Sequence, residues 1–135
     1  MARGRTAAEV MQAVYDAWLR QDQDTVDAAF ASNLRFVIPG SHPWAGEYVG
    51  FDKAVTLRER LQDRFDRDSV RVTEISPVTD EVARIDVEFA GRDRKETFPV
   101  RVAQWYRLDG RGKIREVTLE PTDLAAWDRL FAIPA

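Results

Sequence analysis

The sequence predicts a single α+β domain over residues 1–135, and three observations carry that reading. The helical patterns gather in the first half of the chain, and strand patterns fill most of the second half. The connections between the later strands are hairpin-length, which predicts an antiparallel meander with the helices on one face. One of those strands, Val82 to Ala90, alternates cleanly, with Arg84, Asp86 and Glu88 on one side and Ala83, Ile85, Val87 and Phe89 on the other.

The first helix starts at Thr6, where Thr6 and Glu9 form a T-x-x-E capping box. Val10, Val14 and Trp18 fall on one i,i+4 line, and Met11, Tyr15 and Leu19 on the next, so this helix has a wide apolar face. Arg20 to Gln23 reads as a turn. A short second helix follows Asp24, with Val26, Ala29 and Phe30 inward. Leu34 to Ile38 is a strand stopped by Pro39-Gly40. A loop from Ser41 to Gly50 holds His42, Trp44 and Tyr48. The third helix begins near Asp52, its expected cap, with Ala54, Leu57, Leu61 and Phe65 inward.

From Asp68 onward the chain reads as strands: Val70–Ile75, Val82–Ala90, Thr97–Leu108 and Lys113–Glu120. Turns fall at Pro77–Asp80, Gly91–Arg94 and Asp109–Gly112. Pro121 ends the last strand, and Thr122 or Asp123 caps a terminal helix carrying Leu124, Trp127, Leu130 and Phe131.

Composition narrows the chemistry. The chain has 135 residues, no Cys and one His, with a formal net charge of -3. The absence of Cys excludes disulfides, thiolate metal sites and cysteine nucleophiles, and a single imidazole excludes sites that need two. No metal and no cofactor is expected. The mixed, slightly acidic charge argues against nucleic acid as a partner. No apolar run is long enough to span a membrane, and no apolar stretch comes after the basic N-terminus, so a cytoplasmic location is expected.

The chain resembles the nuclear-transport-factor-like superfamily, and within it the SnoaL-like polyketide cyclases and ketosteroid isomerase-related proteins. The residues that carry the resemblance are Tyr15-Asp16-Ala17-Trp18, Phe36-Val37-Ile38-Pro39-Gly40, Trp44-Ala45-Gly46-Glu47-Tyr48-Val49-Gly50, and the hairpin from Tyr106 to Ile114. The resemblance implies a cone: three N-terminal helices packed on a strongly curved antiparallel sheet around a deep apolar pocket. It also implies what is missing. Ketosteroid isomerases place a carboxylate base immediately before the Pro of the first strand, where this chain has Ile38. Their oxyanion hole pairs a first-helix Tyr, matched by Tyr15, with a protonated Asp, matched by Gln104. Gln104 can donate a hydrogen bond without a raised pKa.

Each candidate has a plainer reading beside the functional one. Tyr15 either polarises a ligand oxygen or is a core aromatic. Gln104, in an apolar strand row, either recognises a ligand or bonds a neighbour. His42, the sole imidazole, is either a loop proton carrier or a solvated side chain. Trp44 and Tyr48 either wall the pocket or anchor their loop. Trp18, Phe36, Ile38, Phe65, Phe89, Val102 and Tyr106 are expected to line the pocket. Asp16, Glu47 and Glu120 are each weak substitutes for the missing base, and no carboxylate pair stands at the spacing an epoxide hydrolase of this fold uses. Trp105 falls on the charged sheet face, and homodimers through that face are common in the family, so a homodimer near Trp105 is expected. The expected function is isomerisation or cyclisation of an apolar carbonyl compound. The alternatives are a non-catalytic pocket that binds an apolar ligand or protein partner, and a hydrolase that positions a water.

Overall fold

The helix ends follow from their caps. α1 (Ala7–Leu19) is closed by the reciprocal Thr6–Glu9 capping box. α2 (Gln23–Ala28) is capped by Asp22, whose carboxylate accepts from the backbone and hydroxyl of Thr25, so the cap lies two residues before the expected Asp24. α2 is short, and the chain leaves it directly into β1 (Phe30–Ile38), four residues ahead of the expected start. Phe30 therefore belongs to the sheet, where it pairs with Ile114. These elements belong to a computed structural model that describes residues 4–93 and 96–132.

The loop expected from Ser41 to Gly50 contains a strand, β2 (Gly46–Val49), laid antiparallel on β1. Only four residues long, it offers too little alternation to stand out. α3 (Phe51–Leu61) starts at Gly50, not at Asp52. Gly50 has φ of 113°, a backbone region that a side chain disfavours, and it provides no side-chain cap. Asp52 sits in the first turn instead, where a negative charge suits the helix dipole. No residue of α3 is fully buried. Phe65 lies beyond α3 and bridges to Gly91, and a 3-10 turn over Arg67–Ser69 comes next.

β3 (Arg71–Pro77), β4 (Val82–Arg92), β5 (Thr97–Leu108) and β6 (Ile114–Pro121) form the expected meander, and α4 (Leu124–Phe131) closes the chain behind an Asp123 cap. β4 runs through Gly91 into Arg92, and Arg94 of the expected turn lies outside the described residues. Gly91 is required by close approach: a Cβ there would stand 2.6 Å from the Phe98 ring on β5.

The strand order is β2-β1-β6-β5-β4-β3 in one sheet that curls without closing. All pairings are antiparallel except β1 with β6, which run parallel with Phe36 opposite Val117. The meander therefore holds only from β3 to β6. β1 and β6 are far apart in the chain, so no hairpin forces them antiparallel. α1 packs over β3, β4 and β5, α3 over β1 and β2, and α4 against β4 and β5. The buried core joins Ala7, Val10 and Met11 of α1 to Leu34, Phe36 and Ile38 of β1, the inner residues of β4 and β5, and Trp127, Leu130 and Phe131 of α4. This is the α+β cone with its helices on the concave side of the sheet.

Candidate functional site

The concave face is not filled. Between α1, α3, α4 and strands β3 to β6 lies a cavity of about 370 Å³. Its walls come from residues that each element turns inward: Met11, Val14, Tyr15 and Trp18 from α1, Leu57 and Leu61 from α3, and Ile85, Val87 and Phe89 from β4. β5 contributes Val102, Gln104 and Tyr106, and β6 contributes Leu119. Val70 and Val72 line it from the start of β3, and Trp127, Leu130 and Phe131 form the end covered by α4. Among the described residues that line it, none is Asp, Glu, His, Lys or Arg.

The polar groups in this apolar wall are few, and two of them bond each other. Gln104 and Tyr106 are two residues apart on β5, so they share its inner face. The Tyr106 hydroxyl donates to Gln104 Oε1. Burial pushes the Tyr106 phenol pKa up, which keeps it a neutral donor. With Oε1 occupied by that donor, the Gln104 amide presents its N–H hydrogens, which have no protein acceptor among the described residues. Tyr15 stacks on Trp18 at a ring separation of 6.5 Å, and its hydroxyl likewise has no bonded protein partner among the described residues. Gln104 and Tyr15 thus bring neutral hydrogen-bonding groups to the wall of an apolar cavity.

Of the expected site residues, Tyr15, Gln104, Trp18, Phe65, Phe89, Val102 and Tyr106 all line this cavity. Five others do not. Phe36 and Ile38 are buried in the core, with Ile38 at 1% exposure. Tyr48 stacks on Phe36 at 5.1 Å and donates its hydroxyl to the Trp44 carbonyl at 2.7 Å. Trp44 packs edge-on to Phe131 with Arg60 over its other side. His42 stacks flat on Phe131 at 4.3 Å, outside the cavity lining. Its Nδ1 accepts from the Trp44 amide at 3.1 Å, so Nε2 carries the proton and donates to the Pro39 carbonyl at 2.9 Å. The same carbonyl accepts from the Trp127 indole, and Asp128 accepts from the Ser41 amide. The aromatic loop is therefore sewn onto α4 as an anchor, the plainer of the two readings open for Trp44 and Tyr48; neither residue lines the cavity, and both His42 nitrogens are engaged.

The wall residues that the sequence singled out least are Val70, Val72 and Leu119. They look like any other inward strand position; only the gap in front of them distinguishes them. The Tyr106–Gln104 bond had a visible signal, the i,i+2 spacing on one strand face.

The opposite face of β4 and β5 is charged and paired. Glu88 takes Arg71 at 2.6 Å and Arg101 at 3.4 Å, and Arg84 pairs with Asp86 at 2.9 Å. Trp105 lies among them, half-buried under Arg84, with its indole donating to Glu120 at 3.3 Å. No acidic or histidine cluster suited to a metal ion occurs among the described residues. None of the described helices is long and apolar enough to cross a membrane.

Comparison with known proteins agrees with this geometry. Residues 11–117 match the model of the SnoaL-like domain. No functionally curated protein matches the sequence. Among solved structures, an NTF2-like protein from Burkholderia thailandensis is similar at 24% identity and a TM-score of 0.77, covering 93% of this chain and 98% of that one. A protein from Pseudomonas putida named as a putative polyketide cyclase is similar at 18% identity and a TM-score of 0.71, covering 96% and 100%. An LEH-like epoxide hydrolase from M. tuberculosis is similar at 20% identity and a TM-score of 0.63, covering 93% and 90%. At these identities the likeness is one of fold.

Proposed function

The chain belongs to the SnoaL-like domain family, and on that basis we propose that it is a small-molecule enzyme that isomerises or cyclises an apolar carbonyl compound inside its cavity. The observation that carries this reading is the apolar cavity whose polar groups are the unpaired Gln104 amide and the Tyr15 hydroxyl. The substrate carbonyl accepts from these two donors, and the negative charge that develops on its oxygen is held without any charged side chain. The Tyr106 hydroxyl, bonded to Oε1, keeps the Gln104 amide hydrogens turned to the ligand and polarises them. The walls fold the apolar body so that reacting atoms of one molecule meet, a gain in proximity that needs no acid or base from the protein. His42 takes no part, because its two nitrogens are engaged in the loop. In this reading two copies associate through the outer sheet face around Trp105.

The test is conversion of β,γ-unsaturated ketones to their conjugated isomers, followed by enone absorbance; in this reaction water entering with the substrate takes the proton from the α-carbon and returns one at the γ-carbon, while the two donors hold the dienolate oxygen. Tyr15→Phe lowers kcat about a hundredfold, the scale of one lost oxyanion donor. Unchanged kcat in that variant would defeat the assignment.

A second reading is favoured by a specific observation: no titratable side chain other than the two tyrosines lines the cavity among the described residues. A non-catalytic binding domain has the same walls and the same donors. A pH–rate profile separates the two readings, since a binder shows saturable quenching of tryptophan fluorescence and no turnover at any pH.

A further inference from the structure

Along α1 the inward residues grow more exposed toward the C-terminus: Met11 is 3% exposed, Val14, Tyr15 and Trp18 are half-buried, and Leu19 is 49% exposed. The α4 end of the cavity is closed, with Trp127, Leu130 and Phe131 each at most 4% exposed. Trp18 is therefore at the exposed end of the α1 wall. The chain between Phe65 and Val70, both cavity residues, crosses there as the 3-10 turn.

Arg67 sits in that turn, outside the lining itself but between the lining residues Phe65 and Val70. Its guanidinium lies 4.0 Å over the Trp18 ring and donates to the Trp18 carbonyl. It is half-buried, and it makes no ion pair among the described residues. In this it differs from Arg58, Arg84, Arg101 and Arg129, each matched to a carboxylate. The neighbouring Asp66 carboxylate is engaged with the Asp68 amide. A guanidinium has five N–H donors, so stacking and one carbonyl leave most of them free, in a planar fork that suits an oxyanion.

We infer that Arg67 is a specificity-determining residue, and that the cavity takes an amphipathic small molecule with an apolar body against the walls and an oxyanion at the rim. The inference rests on the cavity being the ligand site. The apolar body displaces water from the walls, and the oxyanion replaces water on Arg67. A merely structural Arg67, tying the 3-10 turn to α1, gives no preference between charged and neutral ligands.

Two fluorescent probes of nearly one shape test this: anilinonaphthalene sulfonate and its uncharged parent, phenylnaphthylamine. The wild-type protein binds the sulfonate about tenfold more tightly than the neutral probe, the scale of a charge-assisted hydrogen bond, and the two compete. Arg67→Met keeps an apolar stem over Trp18, leaves the neutral probe unchanged within about twofold, and loses most of the preference. Arg60→Met, at an arginine stacked on Trp44, which unlike Trp18 does not line the cavity, leaves the preference intact. An equal preference in Arg67→Met, or an equal loss in Arg60→Met, overturns the inference while leaving the cavity reading standing. Binding of neither probe overturns both. Should Arg67→Met not fold, the wild-type ratio itself decides: it must fall toward unity as salt rises, and a salt-independent ratio overturns the inference.

Discussion

The two faces of β4 and β5 are built from the same strands taken at alternate residues, yet they meet different surroundings. Inward, Ala83 and Val100 are at most 1% exposed and packed in the core, and beside them Ile85, Val87, Phe89, Val102, Gln104 and Tyr106 front the cavity. Outward, Arg84, Asp86, Glu88, Arg101 and Arg107 form ion pairs around Trp105. Alternation thus sets polarity but not packing. The inner face is largely apolar, but part of it is packed solid and part is left open, and the open part carries Gln104 and Tyr106.

That contrast is open to direct attack, and the largest effect is expected inside. Ile85→Ala removes a buried side chain next to Arg84 in sequence and costs about 3 kcal/mol, read by denaturant unfolding. A loss no larger than that of its outward neighbour would erase the distinction between the faces. Next comes the outer tryptophan. If two copies meet there, Trp105→Ala weakens their association by about 2 kcal/mol, as for a central interface tryptophan. Sedimentation profiles that match wild type would remove this face as a contact between copies. Arg84→Ala, which breaks the pair with Asp86, costs about 1 kcal/mol in the same unfolding experiment, because both partners keep part of their hydration on the sheet surface.

The smallest effect concerns pH. On the exposed side of β1, hydrogen bonds from Arg35 hold the Glu47 carboxyl below its ordinary value of 4.5, and the charge of Arg35 adds to this. A depressed carboxylate stabilises the fold above its unfolded pKa and stops doing so as pH falls through the folded one. The melting temperature should therefore dip slightly below about pH 4.5, and Arg35→Gln should flatten that dip. An identical acid profile in the variant would show that this pair contributes nothing.

Much of the fold was legible in the sequence because its signals are local. The Thr6–Glu9 capping box needs only neighbouring backbone, and the Thr97–Leu108 strand was readable to the residue from alternation and its flanking turns. Tyr15 and Gln104, which the resemblance paired, both line one cavity and stand at fixed positions on long regular elements. The aromatic loop stayed open between two readings for the opposite reason. A loop has no period, so nothing in His42-Pro43-Trp44 says which way it folds. Its direction depends on contacts with α4, far along the chain, through Phe131, Trp127 and Asp128. β2 was missed because four residues pair with β1 only once the glycines at each end have turned the chain.

Composition and periodicity act over a few residues at a time. They were enough for the α+β order, the inner and outer faces of the strands, and the poverty in ionisable groups suited to acid–base work. Four features came only with the folded chain. β1 joins β6 in parallel, the inner face encloses a void, the Tyr106 hydroxyl bonds Gln104 Oε1, and Arg67 stands over Trp18 with no ion pair among the described residues. Each of these brings together groups that no local pattern links, and a void is set by what fails to meet across the fold, which no short stretch of chain encodes.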